Sequence, residues 1–179
     1  LYGIKNDVFG AERFKIAGRC IGFHFHKVLP WGVFDKQNKD LKQLSESKIK
    51  RTVVDVHNLC IASDPAITTL MQSSPFYQGK HIGKDSRVIV YRGGNILGYP
   101  EGCYAKLQEF GGLPNYKTYG RDLIHKIKEK YLEWGRVISK ARFGLRPLAK
   151  YPSQLDTTWN PVRINSLGTI EVRGMDMNL

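Results

Sequence analysis

Acidic residues are scarce in this chain. Sixteen Asp and Glu face 28 Lys and Arg over 179 residues, which leaves a net charge of +12. A surface of that sign favours anionic partners. Cysteine is also sparse: Cys20, Cys60 and Cys103 are odd in number, about forty residues apart, and form no CxxC pair. That argues against a disulfide framework and against a zinc knuckle, and it fits a reducing cytoplasm. No apolar run approaches the roughly 18 to 20 residues that cross a bilayer, and the N-terminus has neither a basic nor an apolar signal region. Internal repeats and low-complexity stretches are absent. What remains, 41% hydrophobic, 25% charged and 11% aromatic, is the composition of a folded chain, here expected as a single domain over 1–179. The chain opens on Leu1 and stops just after a strand-like segment, and the expectation drawn is a piece of a longer protein.

The positive excess is uneven. Residues 117–150 carry ten basic side chains (Lys117, Arg121, Lys126, Lys128, Lys130, Arg136, Lys140, Arg142, Arg146, Lys150) against three acidic ones. A phosphate-binding stripe for nucleic acid is one interpretation. The other, favoured by Lys126 and Lys130 interleaving with Glu129 and Glu133 at helical spacing, is the solvated face of a surface helix.

Periodicity sets the coarse layout. From Arg13 to Val28 the pattern alternates, with Ile21, Phe23 and Phe25 on one face and Gly22, His24 and His26 on the other, so a half-buried strand is expected. Asp40 to Gln72 reads as helical, with a fresh start at Asp64-Pro65, an N-cap residue followed by proline at the first helical position. Ser73 to Pro114 is rich in glycine, proline and serine and reads as loop, interrupted by one short strand, Arg87 to Tyr91. Leu123, Ile127, Tyr131, Trp134 and Ile138 recur at spacings of three and four, which predicts one long amphipathic helix from about Tyr119. Gly168 to Met175 alternates again, with Ile170 and Val172 on one face and Thr169, Glu171 and Arg173 on the other.

Two strands thus share a design in which one face is apolar and the other projects an ionisable pair, His24 with His26 and Glu171 with Arg173. A strand-borne HxH offers imidazole nitrogens to a divalent cation, and a carboxylate two residues from a guanidinium can hold metal and phosphate side by side. Phosphoryl transfer uses that combination. Arg87 and Arg163 are further guanidiniums placed where an anion could be clamped.

The motifs resemble a known family. Gly22-Phe23-His24-Phe25-His26 resembles the GxHxH strand of the glutamine synthetase and glutamate–cysteine ligase superfamily, and Gly168-Thr-Ile-Glu171-Val-Arg173-Gly-Met-Asp176 resembles its GT(I/V)EVRxxD strand. Between them, Ser74-Pro75-Phe76-Tyr77-Gln78-Gly79 is similar to the SPF(W/Y)xG segment of the carboxylate–amine ligases. Gly83 with Ser86-Arg87, the Gly112-Leu113-Pro114 turn and Trp159-Asn160-Pro161-Val162-Arg163, similar to WDxR, follow in the family's order.

The resemblance spans about residues 18–178 and implies an α/β (α+β) fold of the glutamine synthetase type, a curved, mainly antiparallel sheet with helices on one face, present here as the C-terminal part of a ligase domain. It implies ATP-dependent joining of a carboxylate, such as the γ-carboxyl of glutamate, to cysteine or another amine through an acyl phosphate, with Mg²⁺ or Mn²⁺. Carried over by position, Glu171 and Arg173 are catalytic, His24 and Glu171 bind the metal, and His26, Arg163 and Arg173 bind nucleotide. Arg87 and Tyr77 bind substrate, and no cysteine acts. Two departures stand out: Asn160 replaces the motif's acid, which would orient Arg163, and the family's first strand, with a Glu-x-Glu cluster, has no counterpart upstream of His24, where Glu12 is alone. A complementing N-terminal segment is therefore expected. The rival expectations are a basic nucleic-acid module, a metal-dependent hydrolase that adds His57, His81 or His125 to the HxH pair, and a superfamily member that has lost catalysis and acts as a binding subunit. Neither membrane nor nucleic acid is expected as a partner.

Overall fold

The computed structural model describes residues 20–141 and 153–176, together with Val8, Gly10, Lys15 and Leu148. In chain order, β1 (Phe25–Val28), β2 (Phe34–Asp35) and β3 (Asp40–Leu41) precede α1 (Glu46–Ile49), which runs through a π-helical segment (Lys50–Val54) into α2 (Asp55–Leu70). A small hairpin, β4 (Phe76–Tyr77) and β5 (Lys80–His81), leads to α3 (Ser86–Arg92), a 3₁₀ turn (Asn95–Leu97), α4 (Gln108–Gly111) and α5 (Gly120–Lys140). A second 3₁₀ turn (Gln154–Thr157) then feeds β6 (Val162–Asn165) and β7 (Thr169–Val172). The result is a mixed α+β architecture whose named strands pair antiparallel. Among the described residues no helix is long and apolar enough to cross a membrane.

The main sheet has the order β1-β7-β6. β6 and β7 form a hairpin across Ser166, Leu167 and Gly168, and Gly168 takes φ 77°, the left-handed conformation that closes a three-residue loop. Asn165 Oδ1 accepts from the backbone N–H of Leu167 at 3.0 Å and of Thr169 at 3.3 Å, so an Asx turn helps to set the register. Ile164, Ile170 and Val172 face a core shared with Val53, Val54 and Ile61 of the 50–70 helix and Leu123 of α5. A second, aromatic cluster joins Tyr77, Tyr91, Tyr104, Phe110, Trp134 and Trp159. Trp134 and Trp159 meet edge to face at 5.0 Å, and α5 spans both clusters, Leu123 in the first and Trp134 and Ile138 in the second.

Strand β7 and helix α5 form where the periodicity places them. Other segments differ. Arg87 to Tyr91 is not a strand but lies in α3, because Asp85 caps that helix, accepting from Val88 N at 2.9 Å. No helix starts at Asp64-Pro65: Pro65 lies inside α2, where burial of His57, Ile61 and Asp64 along one face holds the helix across a missing N–H. Asp40 and Leu41 pair as a strand with β2. The first strand is short, β1 alone with Gly22 bridged to Asp176. Residues 13–19 of the expected strand lie outside those described, apart from Lys15, which is helical. Its apolar face is not buried either: Ile21 is 61%, Phe23 47% and Phe25 52% exposed. The cause is position, since β1 is an edge strand and α2 packs over β6 and β7.

Candidate metal and phosphate site

Alternation along β7 puts Ile170 and Val172 toward the core and sends Thr169 and Glu171 to the other face. Register does the rest. His26 of β1 and Arg163 of β6 both stand directly opposite Glu171, and His24 and Arg173 lie one pleat further on the same side. His24, His26, Arg163 and Arg173 therefore gather around one carboxylate, with the two histidines brought from about 140 residues away in the chain.

Glu171 is 4% exposed. Its Oε2 accepts from Arg163 Nε at 2.7 Å and from Asn165 Nδ2 at 3.3 Å, and its Oε1 faces His24 Nδ1 at 3.0 Å. Arg173 Nε stands 3.7 Å from Oε1, an ion pair but too long for a hydrogen bond. Burial alone would raise the Glu171 pKa. The His24 hydrogen bond and the Arg163 and Arg173 charges outweigh it and hold the carboxyl well below the usual carboxylate range.

The imidazoles are oriented from behind. Thr169 Oγ1 donates to Asn165 Oδ1 at 2.9 Å, so at 2.9 Å from His26 Nδ1 it accepts, and that nitrogen carries the proton. His24 Nδ1 faces an ionised carboxylate and likewise carries a proton. In neutral imidazole the Nε2 lone pair is then free, the form that binds a cation. One nitrogen of each ring and one Glu171 oxygen lie within 4.8 Å of one another. The His24 Nδ1–Glu171 Oε1 spacing of 3.0 Å is that of a hydrogen bond, and it leaves the outer lone pairs of Glu171 to a cation. Two imidazoles and one carboxylate suit Mn²⁺ better than Mg²⁺, which prefers all-oxygen shells.

Arg173 adds the other half. Its side chain is 11% exposed, and among the described residues neither Nε nor Nη1, both buried, has a hydrogen-bond partner. Buried charged donors without acceptors are costly, and the Glu171 carboxylate 3.7 Å from Nε offsets part of that cost.

The remaining residues singled out from the sequence go elsewhere. Arg87 is 4% exposed rather than in an open loop. Its Nη1 donates to the Gly174 carbonyl at 3.1 Å, its guanidinium lies 5.3 Å from the Tyr91 ring, and a Cβ at Gly22 would overlap it. It ties the strand ends together, near enough to Arg173 for their charges to repel. Tyr77 packs edge-on to Tyr99 at 6.4 Å in the aromatic cluster. Arg163 needs no acid at position 160: Glu171 and the Thr158 carbonyl, 2.7 Å from Nη1, orient it. Asn160 instead donates to the Gly112 carbonyl at 2.6 Å and the Glu109 carbonyl at 3.2 Å. His57 is buried in α2, His81 lies on β5 against Phe76, and His125 pairs with Glu129 on α5, so among the described residues none joins the HxH pair. Among the described residues no disulfide forms, and Cys103 is buried.

Two cations of the basic helix are paired along its own surface, Lys126 with Glu129 at 3.0 Å and Arg136 with Glu133 at 2.8 Å. Arg142, Arg146 and Lys150 of the stripe lie outside the described residues, as does Glu12. Thr169 and Asn165, which orient His26 and Glu171, were not singled out as site residues from the sequence. The turn-forming Asn-Ser-Leu-Gly run was their signal, since a hairpin closed there pairs 165 with 169 and 163 with 171.

No protein-family model, curated protein or solved structure matches the chain.

Proposed function

We propose that this chain supplies the metal-and-phosphate half of an ATP-dependent carboxylate–amine ligase of the glutamine synthetase-like type, as the motif resemblance implies. The observation that carries it is the Arg173 guanidinium, ion-paired with Glu171 but with Nε and Nη1 making no hydrogen bond among the described residues, beside two imidazoles and an ionised carboxylate. That group has the elements of a phosphoryl-transfer site: donors for a cation and a fixed positive charge for the phosphate.

His24, His26 and Glu171 would hold the divalent ion, which when bound neutralises phosphate charge. Three protein ligands leave positions for water, nucleotide oxygens and carboxylates of a complementing segment. Arg173 binds the γ-phosphoryl oxygens, and Arg163, with Nε and Nη1 committed, offers Nη2 to the nucleotide. The chemistry runs in two displacements. A substrate carboxylate oxygen attacks the γ-phosphorus and ADP leaves. The amine nitrogen then attacks the acyl carbon, phosphate departs, and the nitrogen loses a proton. No side chain of this chain needs to become covalently attached. Glutamate is the expected carboxylate and cysteine or a similar amine the acceptor. The hydrolase alternative would need a further ligand, and among the described residues none of His57, His81 and His125 joins the HxH pair.

Calorimetry tests this with Mn²⁺ and a non-hydrolysable ATP analogue at fixed ionic strength, on the wild-type chain and on His24→Asn, a residue whose side chain is 34% exposed. Binding that requires Mn²⁺ and is lost in the variant is expected. Binding indifferent to metal and to His24 would overturn the proposal.

A further inference from the structure

A second cluster of charge lies away from Glu171. A half-open cavity of about 230 Å³ is lined by α5, the 108–117 segment, the 154–158 turn and β6. Val162 and Ile164, the core-facing residues of β6, line it, so it reaches the helix side of the sheet. We propose that this cavity binds a small phosphate-bearing anion through the ammonium groups of Lys117, Lys126 and Lys130. The inference goes beyond the ligase reading and rests on different residues.

Lys126 and Lys130 are four apart on α5, hence on one helical face, and Lys117 approaches from the preceding loop. Their protein partners are mostly neutral. Lys130 Nζ donates to Asn160 Oδ1 at 2.5 Å and Lys117 Nζ to the Asn115 carbonyl at 2.8 Å. Each ammonium has three protons to give, and among the described residues each is given one such acceptor. Lys126 stands with Glu129. The other charged groups at the cavity are Glu109 and Arg163, and Arg163 is engaged by Glu171 and the Thr158 carbonyl.

His57 closes the cavity from α2. It is 4% exposed and its Nδ1 has no hydrogen-bond partner. Burial first, then Lys117 and Lys130, pushes its pKa down to about 4, so it is neutral and adds a dipole rather than a fourth cation. Burial, together with Lys126 and Lys117, pushes Lys130 down to about 8. The fold thus keeps mutually repelling ammoniums on a partly enclosed, apolar-backed cavity, with Leu113, Leu123 and Ile127 in its wall. A dianion there would accept the spare donors and relieve the repulsion. The apolar wall would take the organic part of a phosphate ester; the lysines alone would take free phosphate.

The test titrates the chain with inorganic phosphate and with phenyl phosphate at pH 7 and constant ionic strength, by calorimetry and by the His57 ring signals in NMR. Saturable binding that moves the His57 signals is expected, weakened about tenfold or more in Lys130→Gln, which forfeits a charge-assisted hydrogen bond. Lys117→Gln should behave alike. Lys42→Gln, the same charge change on an exposed site next to β3, should bind as wild type. Equal affinity for the two probes identifies free phosphate as the ligand, and tighter phenyl phosphate identifies an ester; either supports the site. Unsaturable binding, equal loss in Lys42→Gln, or binding of a polyanion such as poly(U) without either small probe would overturn it. Because Glu171 and His24 are intact in every variant, failure here is distinguishable from failure of the metal site.

Discussion

Replacing Glu171 by Gln keeps the shape of the side chain and removes its charge. One of two accepting oxygens becomes an NH₂ facing donors already aimed at it, Arg163 Nε at 2.7 Å or His24 Nδ1 at 3.0 Å. Hydrogen bonds to charged groups contribute about 1.5 to 3 kcal/mol each, and breaking a buried ion pair costs about 3 to 5 kcal/mol. Arg163 keeps 17% exposure, so water recovers part of the loss. About 3 kcal/mol is the expected destabilisation, a drop in Tm of roughly 6 to 12 °C for a chain of this size. Urea unfolding followed by tryptophan fluorescence measures it, because Trp134 and Trp159 are both buried in the aromatic cluster. The pH dependence gives a second check. The folded carboxyl titrates below its unfolded value of about 4.3, so its stabilisation is complete above that value and is lost as pH falls through the folded pKa. Wild type and variant should differ fully at pH 7 and converge on acidification. A difference under about 1 kcal/mol at pH 7, or one that does not shrink toward acid, would refute the reasoning that Glu171 is the electrostatic centre of the sheet face.

Two stability predictions follow from packing. Gly120→Ala, at the first residue of α5, should destabilise by about 1 to 3 kcal/mol in chemical denaturation, because a Cβ there would overlap Ile49; a gain of about 1 kcal/mol, the usual result inside a helix, would show that α1 and α5 are not in close contact. Pro65→Ala should raise stability by about 1 to 2 kcal/mol, since Pro65 is exposed inside α2 and alanine restores a donor to the Ile61 carbonyl, against a small entropic loss in the unfolded chain. A lower denaturation midpoint would mean that the helix is broken at Asp64 after all.

Much of the candidate site was legible because it is written in local periodicity. Alternation over 168–175 places Glu171 opposite in face to Ile170 and Val172, whichever strands flank it, and the HxH spacing puts His24 and His26 on one side by the same rule. The three-and-four spacing of Leu123, Ile127, Trp134 and Ile138 likewise requires a helix with one buried stripe. Tertiary structure decided everything that needs a distant partner. Thr169 meets His26 across 143 residues of chain, and only the β1-β7-β6 order brings Arg163 and His26 to either side of Glu171. A short β-branched run such as Arg87 to Tyr91 suits strand or helix equally, and the Asp85 cap with burial of Arg87, Val90 and Tyr91 chose the helix. Alternation puts Phe23 and Phe25 on one face, yet these rings are exposed rather than half-buried, because a pattern specifies which residues share a face and not whether another element covers it.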